Sequence, residues 1–198
     1  MSPSCRVCLW MGLVVASNGF LSPADDEKDK ATLDRAQAQQ AFEYLNKVRK
    51  APAQFNKEIG IDLSDVKARP ALTWNNILAK VAEEKALDMA RRDYFGHVTP
   101  EGLGINVQIH EAGYPLPKEW VKEKDQSFFE SISAGTNTGV EAIRNLILDK
   151  DLPAALHRKQ LLGITEFYAA CSDIGIGFAR NPKSKYRTYV SIIIARKK

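Results

Sequence analysis

The segment Asp173-Ile174-Gly175-Ile176-Gly177-Phe178 decides the fold, because its large apolar residues alternate with glycines as they would on the two faces of a strand. After a turn at residues 181–185, a second strand is predicted over residues 186–195. Its run Ile192-Ile193-Ile194 is apolar at consecutive positions, which is typical of a strand that is covered on both faces. Since helical patterns precede these strands, the chain favours a sheet enclosed between two layers of helices.

Helical periodicity dominates the part of the chain before these strands. The clearest helix follows Trp74 and carries an apolar stripe from Leu78 to Ala90. Further helices are predicted over residues 32–50, 105–112, 138–149 and 156–162, whereas residues 51–71 indicate a long connection. We expect the core to include Trp74, Leu78, Val81, Ala82, Ile147, Ile176 and Ile192.

The first residues of the chain predict export. Residues 7–16 form an apolar core behind Arg6, and small residues follow it, as in a signal peptide. We therefore predict a signal peptide over residues 1–24, a charged linker over residues 25–35 and a single domain over residues 36–198. No apolar run approaches the ~20 residues of a membrane-spanning helix. The protein is expected to be secreted, extracellular or periplasmic, without a transmembrane segment.

Composition and charge narrow the class of protein further. Hydrophobic residues make up 44% of the chain, and 28 basic residues against 24 acidic ones give a net charge of +4. The basic residues are scattered instead of forming a stripe, so nucleic acid is not expected to be the main partner. Cys5 and Cys8 fall in the predicted signal peptide, which leaves Cys171 as a buried, unreactive thiol without an internal disulfide.

Few local motifs in the chain indicate chemistry. His110 opens a stretch similar to a zinc-protease helix, but Tyr114 stands where the second histidine is needed, so His110 is expected at the surface. His97 lies in a loop rich in glycine, and nothing in the local sequence pairs it with the distant His157. Glu130 follows two phenylalanines and is expected to be partly buried. Nucleophile elbows, phosphate-binding loops and dinucleotide motifs are absent from the sequence.

The order of several short motifs is more informative than any one of them. The motifs are, in chain order, Asn46-Lys47-Val48-Arg49, Leu72-Thr73-Trp74-Asn75, Tyr94-Phe95-Gly96-His97-Val98-Thr99-Pro100-Glu101-Gly102, Glu111-Ala112-Gly113-Tyr114, Glu130-Ser131-Ile132-Ser133-Ala134-Gly135, His157-Arg158 and Asp173-Ile174-Gly175-Ile176-Gly177-Phe178. This succession resembles the CAP superfamily, also called SCP-like, which includes cysteine-rich secretory proteins, insect venom antigens and plant pathogenesis-related proteins. The resemblance covers about residues 36–198.

The resemblance implies an α+β fold, a three-layer α-β-α sandwich with a mainly antiparallel central sheet. It also implies a cleft in which His97, Glu130, His157 and a second acidic residue meet. Asp149 lies nearest the place of that second acid, in the helix before His157. Ser131 stands where the family has an asparagine, so a side-chain amide that would brace the cleft is expected to be missing.

A metal site is one implication of the same resemblance; the alternative is that the two histidines form hydrogen bonds with the carboxylates and hold the cleft in shape without an ion. His97 and His157 would share one divalent ion such as zinc, which requires their ligating nitrogens to lie within about 4 Å of each other. Glu130 would orient a ligand or accept a proton.

Two functions remain open for this cleft. The first is a secreted binding module for an extracellular lipid, glycan or protein, which the lack of a nucleophile motif favours. The second is a metal-dependent hydrolase of an extracellular peptide or nucleic acid, which the two histidines favour; its candidate catalytic residues are His97, Glu130, His157 and Asp149.

Overall fold

The computed structural model describes residues 30–150 and 154–197, so the predicted signal peptide lies outside the described residues. The strands are β1 (Thr32–Leu33), β2 (Thr73–Trp74), β3 (Glu130–Ala134), β4 (Asp173–Arg180) and β5 (Thr188–Ala195). The helices are α1 (Arg35–Lys50), α2 (Asn56–Ile59), α3 (Asn76–Arg92), α4 (Ile105–Glu111), α5 (Gly139–Leu148), α6 (Leu156–Leu161) and α7 (Glu166–Ala169), with 3-10 turns at Pro52–Phe55 and Lys118–Trp120.

The five strands form one mainly antiparallel sheet. β4 pairs antiparallel with β5 over its full length, and β5 pairs antiparallel with β3. The other edge of β4 is shared by two short strands, with β1 antiparallel at Ala179–Arg180 and β2 parallel at Asp173–Ile174. The predicted sheet is confirmed.

Helices cover both faces of this sheet. α3 packs on β4 and β5, against the face that carries the glycines of β4. α1 contacts β4 and packs against α5, forming the second helical layer. All eight residues of β5 are buried, in agreement with the covering of both faces that its run Ile192-Ile193-Ile194 predicts. The predicted α-β-α sandwich is therefore confirmed.

Two glycines set the distance between α3 and the sheet. A Cβ atom on Gly175 would lie 2.1 Å from the backbone nitrogen of Ala79, and one on Gly177 would lie 2.1 Å from the carbonyl oxygen of Ala82. Real Cβ atoms do not approach other heavy atoms so closely. The backbone of α3 therefore rests directly on β4, at a distance that no other residue type permits.

The core prediction is confirmed for six residues out of seven. Leu78, Val81, Ala82, Ile147, Ile176 and Ile192 are all at most 2% exposed. Trp74 is half-buried and packs at the core edge, with its ring 5.4 Å from that of Phe42 in an edge-to-face contact. Cys171 is buried as predicted, and burial raises the pKa of its thiol to about 11, which keeps the thiol protonated at neutral pH.

Several predicted boundaries were wrong. The first helix begins at Arg35 instead of residue 32, because Asp34 caps it by accepting a hydrogen bond from the amide of Gln37 at 3.2 Å. Thr32 and Leu33 instead join the sheet as β1. Short helical turns interrupt the predicted connection at residues 51–71, and the last strand starts at Thr188.

Strand β3 was missed altogether. Three of its five residues are polar, and they break the apolar alternation that would have marked a strand. Within the described ranges, no helix has the length and apolar character needed to cross a membrane.

Leu78 provides a test of the assigned helix face. Leu78→Ala should lower the free energy of unfolding by roughly 2–5 kcal/mol, because the side chain is fully buried and its removal leaves a cavity. The adjacent Ile77 is 37% exposed, so Ile77→Ala should cost only about 0.5 kcal/mol. Urea denaturation followed by circular dichroism measures both values. Equal midpoints for the two variants would contradict the assigned face.

Gly177→Ala tests the contact between α3 and β4. The added methyl group would overlap the backbone of Ala82, so we expect a loss of about 3 kcal/mol or more, or failure to fold. Gly96→Ala is the matched control, since its new Cβ meets nothing closer than the Val98 carbonyl oxygen at 3.7 Å. Thermal denaturation that shows the two variants to be equally stable would refute the contact.

Candidate functional site

One cavity brings together most of the predicted site residues. It has a volume of about 290 Å³ and lies between the loop that carries His97, the start of β3 and helix α6. We call it the histidine cleft. Its lining residues are His97, Ser127, Phe128, Glu130, Leu156, His157, Gln160 and Tyr168. Asp149 is not among the lining residues, but its carboxylate contacts the ring of His157.

His97 is held by Glu130. The Nδ1 atom of His97 lies 2.9 Å from Oε2 of Glu130, whose side chain is completely buried. The other carboxylate oxygen accepts a hydrogen bond from the hydroxyl of Ser191 at 2.7 Å. An ionised carboxylate only accepts hydrogen bonds, so Nδ1 is the donor to Glu130; when the imidazole is neutral, this tautomer leaves the lone pair on Nε2.

His157 is held in the same manner by Asp149. Its Nδ1 atom lies 2.9 Å from Oδ1 of Asp149, whose side chain is 3% exposed. The second oxygen of Asp149 accepts from the backbone amides of His157 at 3.1 Å and Arg158 at 3.4 Å. Both histidines therefore have the same arrangement: Nδ1 contacts a carboxylate, and Nε2 has no hydrogen-bond partner among residues 30–150 and 154–197.

The position of Asp149 resolves an electrostatic difficulty. The residue ends α5 with a left-handed φ of 48°, where a negative charge faces the negative end of the helix dipole. Its carboxylate instead reaches the first amides of α6, where a negative charge is favourable. The guanidinium of Arg158 donates to the carbonyl oxygens of Ile147 and Leu148 at 2.7 and 2.6 Å, which satisfies the end of α5.

A buried lysine lies behind Glu130. Lys85 is 1% exposed, and its ammonium donates to the hydroxyl of Tyr94 at 3.1 Å, which in turn donates to Asp88 at 2.6 Å. Burial lowers the pKa of Lys85, while the nearby negative charges of Glu130 and Asp88 act in the opposite direction. Lys85 was not among the predicted site residues, although its spacing from Val81 and Met89 places it on the apolar stripe of α3.

The side-chain amide that is absent at Ser131 is provided instead by Gln160 on helix α6. The hydroxyl of Ser131 donates to Oε1 of Gln160, and Gln160 on α6 is only 2% exposed. Its Nε2 atom has no hydrogen-bond partner among the described residues. Gln160 was not predicted as a site residue, since only its position three residues after His157, on the same side of a helix, connects it with the cleft.

The donor set fits a metal ion only in part. The two Nε2 atoms form no hydrogen bond within the part of the chain that the structure describes, and each imidazole has the supporting carboxylate that metal-bound histidines commonly have. Among the described residues, however, no three His, Cys, Asp or Glu side chains are grouped to hold an ion. Water would have to complete the coordination. His110 is exposed on α4 and does not line the cleft.

The walls of the cleft are largely apolar. Leu156 is 56% exposed at its edge, and Phe128 and Tyr168 are half-buried. These two aromatic residues also line a neighbouring depression of about 360 Å³, together with Trp120 and Phe167. We call this depression the aromatic groove. Because the two cavities share residues, polar groups at the histidines lie next to a continuous aromatic surface.

The serines at the cleft are not arranged as nucleophiles. The hydroxyl of Ser127 accepts from the amide of Ile105 at 3.0 Å and lies within donor distance of the His97 carbonyl oxygen at 3.4 Å. Ser131 is directed to Gln160. Neither hydroxyl has a hydrogen bond to an imidazole within the described part of the chain, so neither is activated by a base.

Comparison with known proteins agrees with this architecture. The model of the family CAP, described as the cysteine-rich secretory protein family, matches residues 42–194. An extracellular protein containing an SCP domain from Bacillus anthracis str. Ames is 22% identical, with a TM-score of 0.53 over 90% of this chain. This chain spans only 45% of that protein.

A second solved structure is less similar. An outer surface protein from Borrelia burgdorferi is 16% identical, with a TM-score of 0.48 over 79% of this chain and 94% of the other. No curated protein matches the chain.

Proposed function

This chain belongs to the CAP family, and on that premise we propose that it is an exported binding module whose histidine cleft holds a divalent metal ion and an extracellular ligand. The observation that carries the proposal is the pair of histidines at one cavity, each with Nδ1 on a carboxylate and Nε2 free. Export is supported by the signal peptide predicted over residues 1–24 and by the extracellular description of the Bacillus anthracis protein.

The proposed metal ion is zinc, bound by Nε2 of His97 and Nε2 of His157. Neutral imidazole nitrogens are common zinc ligands, and a bound ion would polarise an oxygen of the ligand. Two protein ligands leave several positions for water or for the ligand, so the ion would exchange readily. Glu130 and Asp149 would keep the two rings oriented.

The proposed ligand is amphiphilic, whether a lipid, a glycan or a protein segment. A polar group would meet the free Nε2 atoms and the amide of Gln160, which has a buried donor without a partner in the described structure. An apolar portion would pack on Phe128 and Tyr168 and continue into the aromatic groove. Binding sites generally combine apolar walls with a few placed polar groups, as here.

A metal-dependent hydrolase of extracellular peptide or nucleic acid is the second candidate. One observation favours it: the completely buried carboxylate of Glu130 is placed beside His97, as an acid–base pair requires. Binding is favoured because the described residues provide no activated hydroxyl at the cleft, so that any hydrolysis would depend on a metal-bound water.

Zinc titration by calorimetry tests the metal site. The parent protein should bind one zinc ion, and His97→Ala and His157→Ala should each weaken binding at least about tenfold, since each removes one of two protein ligands. His110→Ala is the matched control and should bind zinc like the parent, because His110 is exposed away from the cleft. If the His110 variant lost zinc binding while the His97 variant bound zinc normally, the proposed assignment of His97 as a metal ligand would be wrong.

A turnover assay separates the two candidate functions. Purified protein incubated with peptide and nucleic-acid substrates, with and without zinc or magnesium, should show no turnover that depends on His157. Metal-dependent activity that His157→Ala abolishes and His110→Ala retains would instead establish the hydrolase. Zinc binding without turnover supports the binding module.

A further inference from the structure

A separate cavity lies beyond the opposite end of β3, and we propose that it binds a tetrahedral oxyanion, a phosphate or sulfate group, between Arg180 and Arg187. Its volume is about 510 Å³. We call it the arginine pocket; it is lined by Gly135, Asn137, Arg180, Pro182, Tyr186, Arg187 and Thr188. Glu130 of the histidine cleft and Gly135 stand five residues apart along an extended chain, or about 17 Å.

The first arginine of this pocket is fixed in place. The Nε atom of Arg180 donates to Asp34 at 2.8 Å, and Nη2 donates to the carbonyl oxygen of Asn137 at 3.0 Å. The guanidinium also lies over the ring of Phe178, 4.9 Å from its centre. A guanidinium has five N–H donors, so these contacts leave donors of Arg180 available to a ligand.

The second arginine, Arg187, has a left-handed backbone conformation that no hydrogen bond of its side chain stabilises within the described structure. Arg187 has a φ of 64°, in the left-handed region that favours glycine. Asp93, Asp149 and Ala155 share this conformation. The carboxylates of Asp93 and Asp149 accept hydrogen bonds from backbone amides, whereas Ala155 has no side chain that could do so. The guanidinium of Arg187 has no hydrogen bond or ion pair with any described residue, so its side chain provides no such compensation at this position.

The loop that carries Arg187 is held rigidly. The Asn181 side chain donates to the carbonyl oxygen of Ala90 at 2.8 Å, and the amide of Lys185 donates to Asp93 at 2.8 Å. The Asn181 amide donates to the Arg187 carbonyl oxygen at 2.9 Å, which closes the loop between β4 and β5. A ligand would therefore meet a preformed site and would not have to order the loop.

Charge and geometry indicate the chemical class of the ligand. Residues 180–187 contain two arginines and two lysines and no acidic residue, and no acidic residue lines the pocket. Asp34 offsets part of the charge of Arg180 from outside the pocket. A planar guanidinium binds phosphate through two parallel hydrogen bonds, and a doubly charged tetrahedral anion gains more from two arginines than a single carboxylate does.

Nuclear magnetic resonance of the full-length protein, observing the arginine Nε–H groups, tests the proposal. Sodium phosphate and sodium sulfate, titrated at constant ionic strength, should each shift the Arg187 signal in a saturable manner. Arg187→Gln should reduce the phosphate affinity about tenfold or more, because it removes a charge-assisted contact. Arg187→Gly should lose binding equally while melting at or above the temperature of the parent, since glycine suits this φ.

Two further variants serve as controls. Arg35→Gln removes an exposed arginine that pairs with Glu83 elsewhere, and it should bind phosphate like the parent. His157→Ala should also bind phosphate normally, which separates this pocket from the histidine cleft. If short-chain polyphosphate bound more tightly than inorganic phosphate, the ligand would be a phosphate group within a polymer. Equal binding would identify a single phosphate as the ligand.

Three results would overturn the proposal. The first is unchanged phosphate affinity in Arg187→Gln. The second is a set of shifts that never saturate and affect all basic side chains alike. The third is acetate binding as tight as that of phosphate, which would remove the preference for a tetrahedral dianion.

Discussion

The close contact between α3 and β4 is the constraint on which the rest of the structure depends. Gly175 and Gly177 carry no side chain, so the helix backbone reaches the strand backbone itself. This contact brings Lys85 on α3 close enough to the sheet for the negative charge of Glu130 in β3 to act on the pKa of Lys85. The loop that leaves α3 carries His97 to the same carboxylate.

The elements with a single clear period could be predicted from the sequence. The alternation in β4, the unbroken apolar run of β5 and the stripe on α3 are all found in the structure. Strand β3 could not be predicted, because Glu130 and Ser131 are polar residues whose side chains gain their hydrogen-bond partners only in the folded structure. Their partners, Ser191 and Gln160, come from β5 and α6 and are distant in the sequence.

The candidate site followed from the resemblance and not from local pattern. Nothing near His97 or His157 in the sequence indicates that they line one cavity, since only the fold brings their elements together. Lys85 and Gln160 were missed for a related reason. A lysine within a helix and a glutamine after a histidine are ordinary surface residues until packing buries them, and here both are at most 2% exposed.

Asp149 ends α5, satisfies the first amides of α6 and orients His157, all with one side chain. A residue with three structural roles is difficult to replace even when one of these roles is no longer needed. If a relative of this chain no longer used the histidine, the junction between the two helices would still select for aspartate here. The persistence of this aspartate in a relative is therefore poor evidence that the relative's cleft is active, whereas the histidine that it orients is free to change.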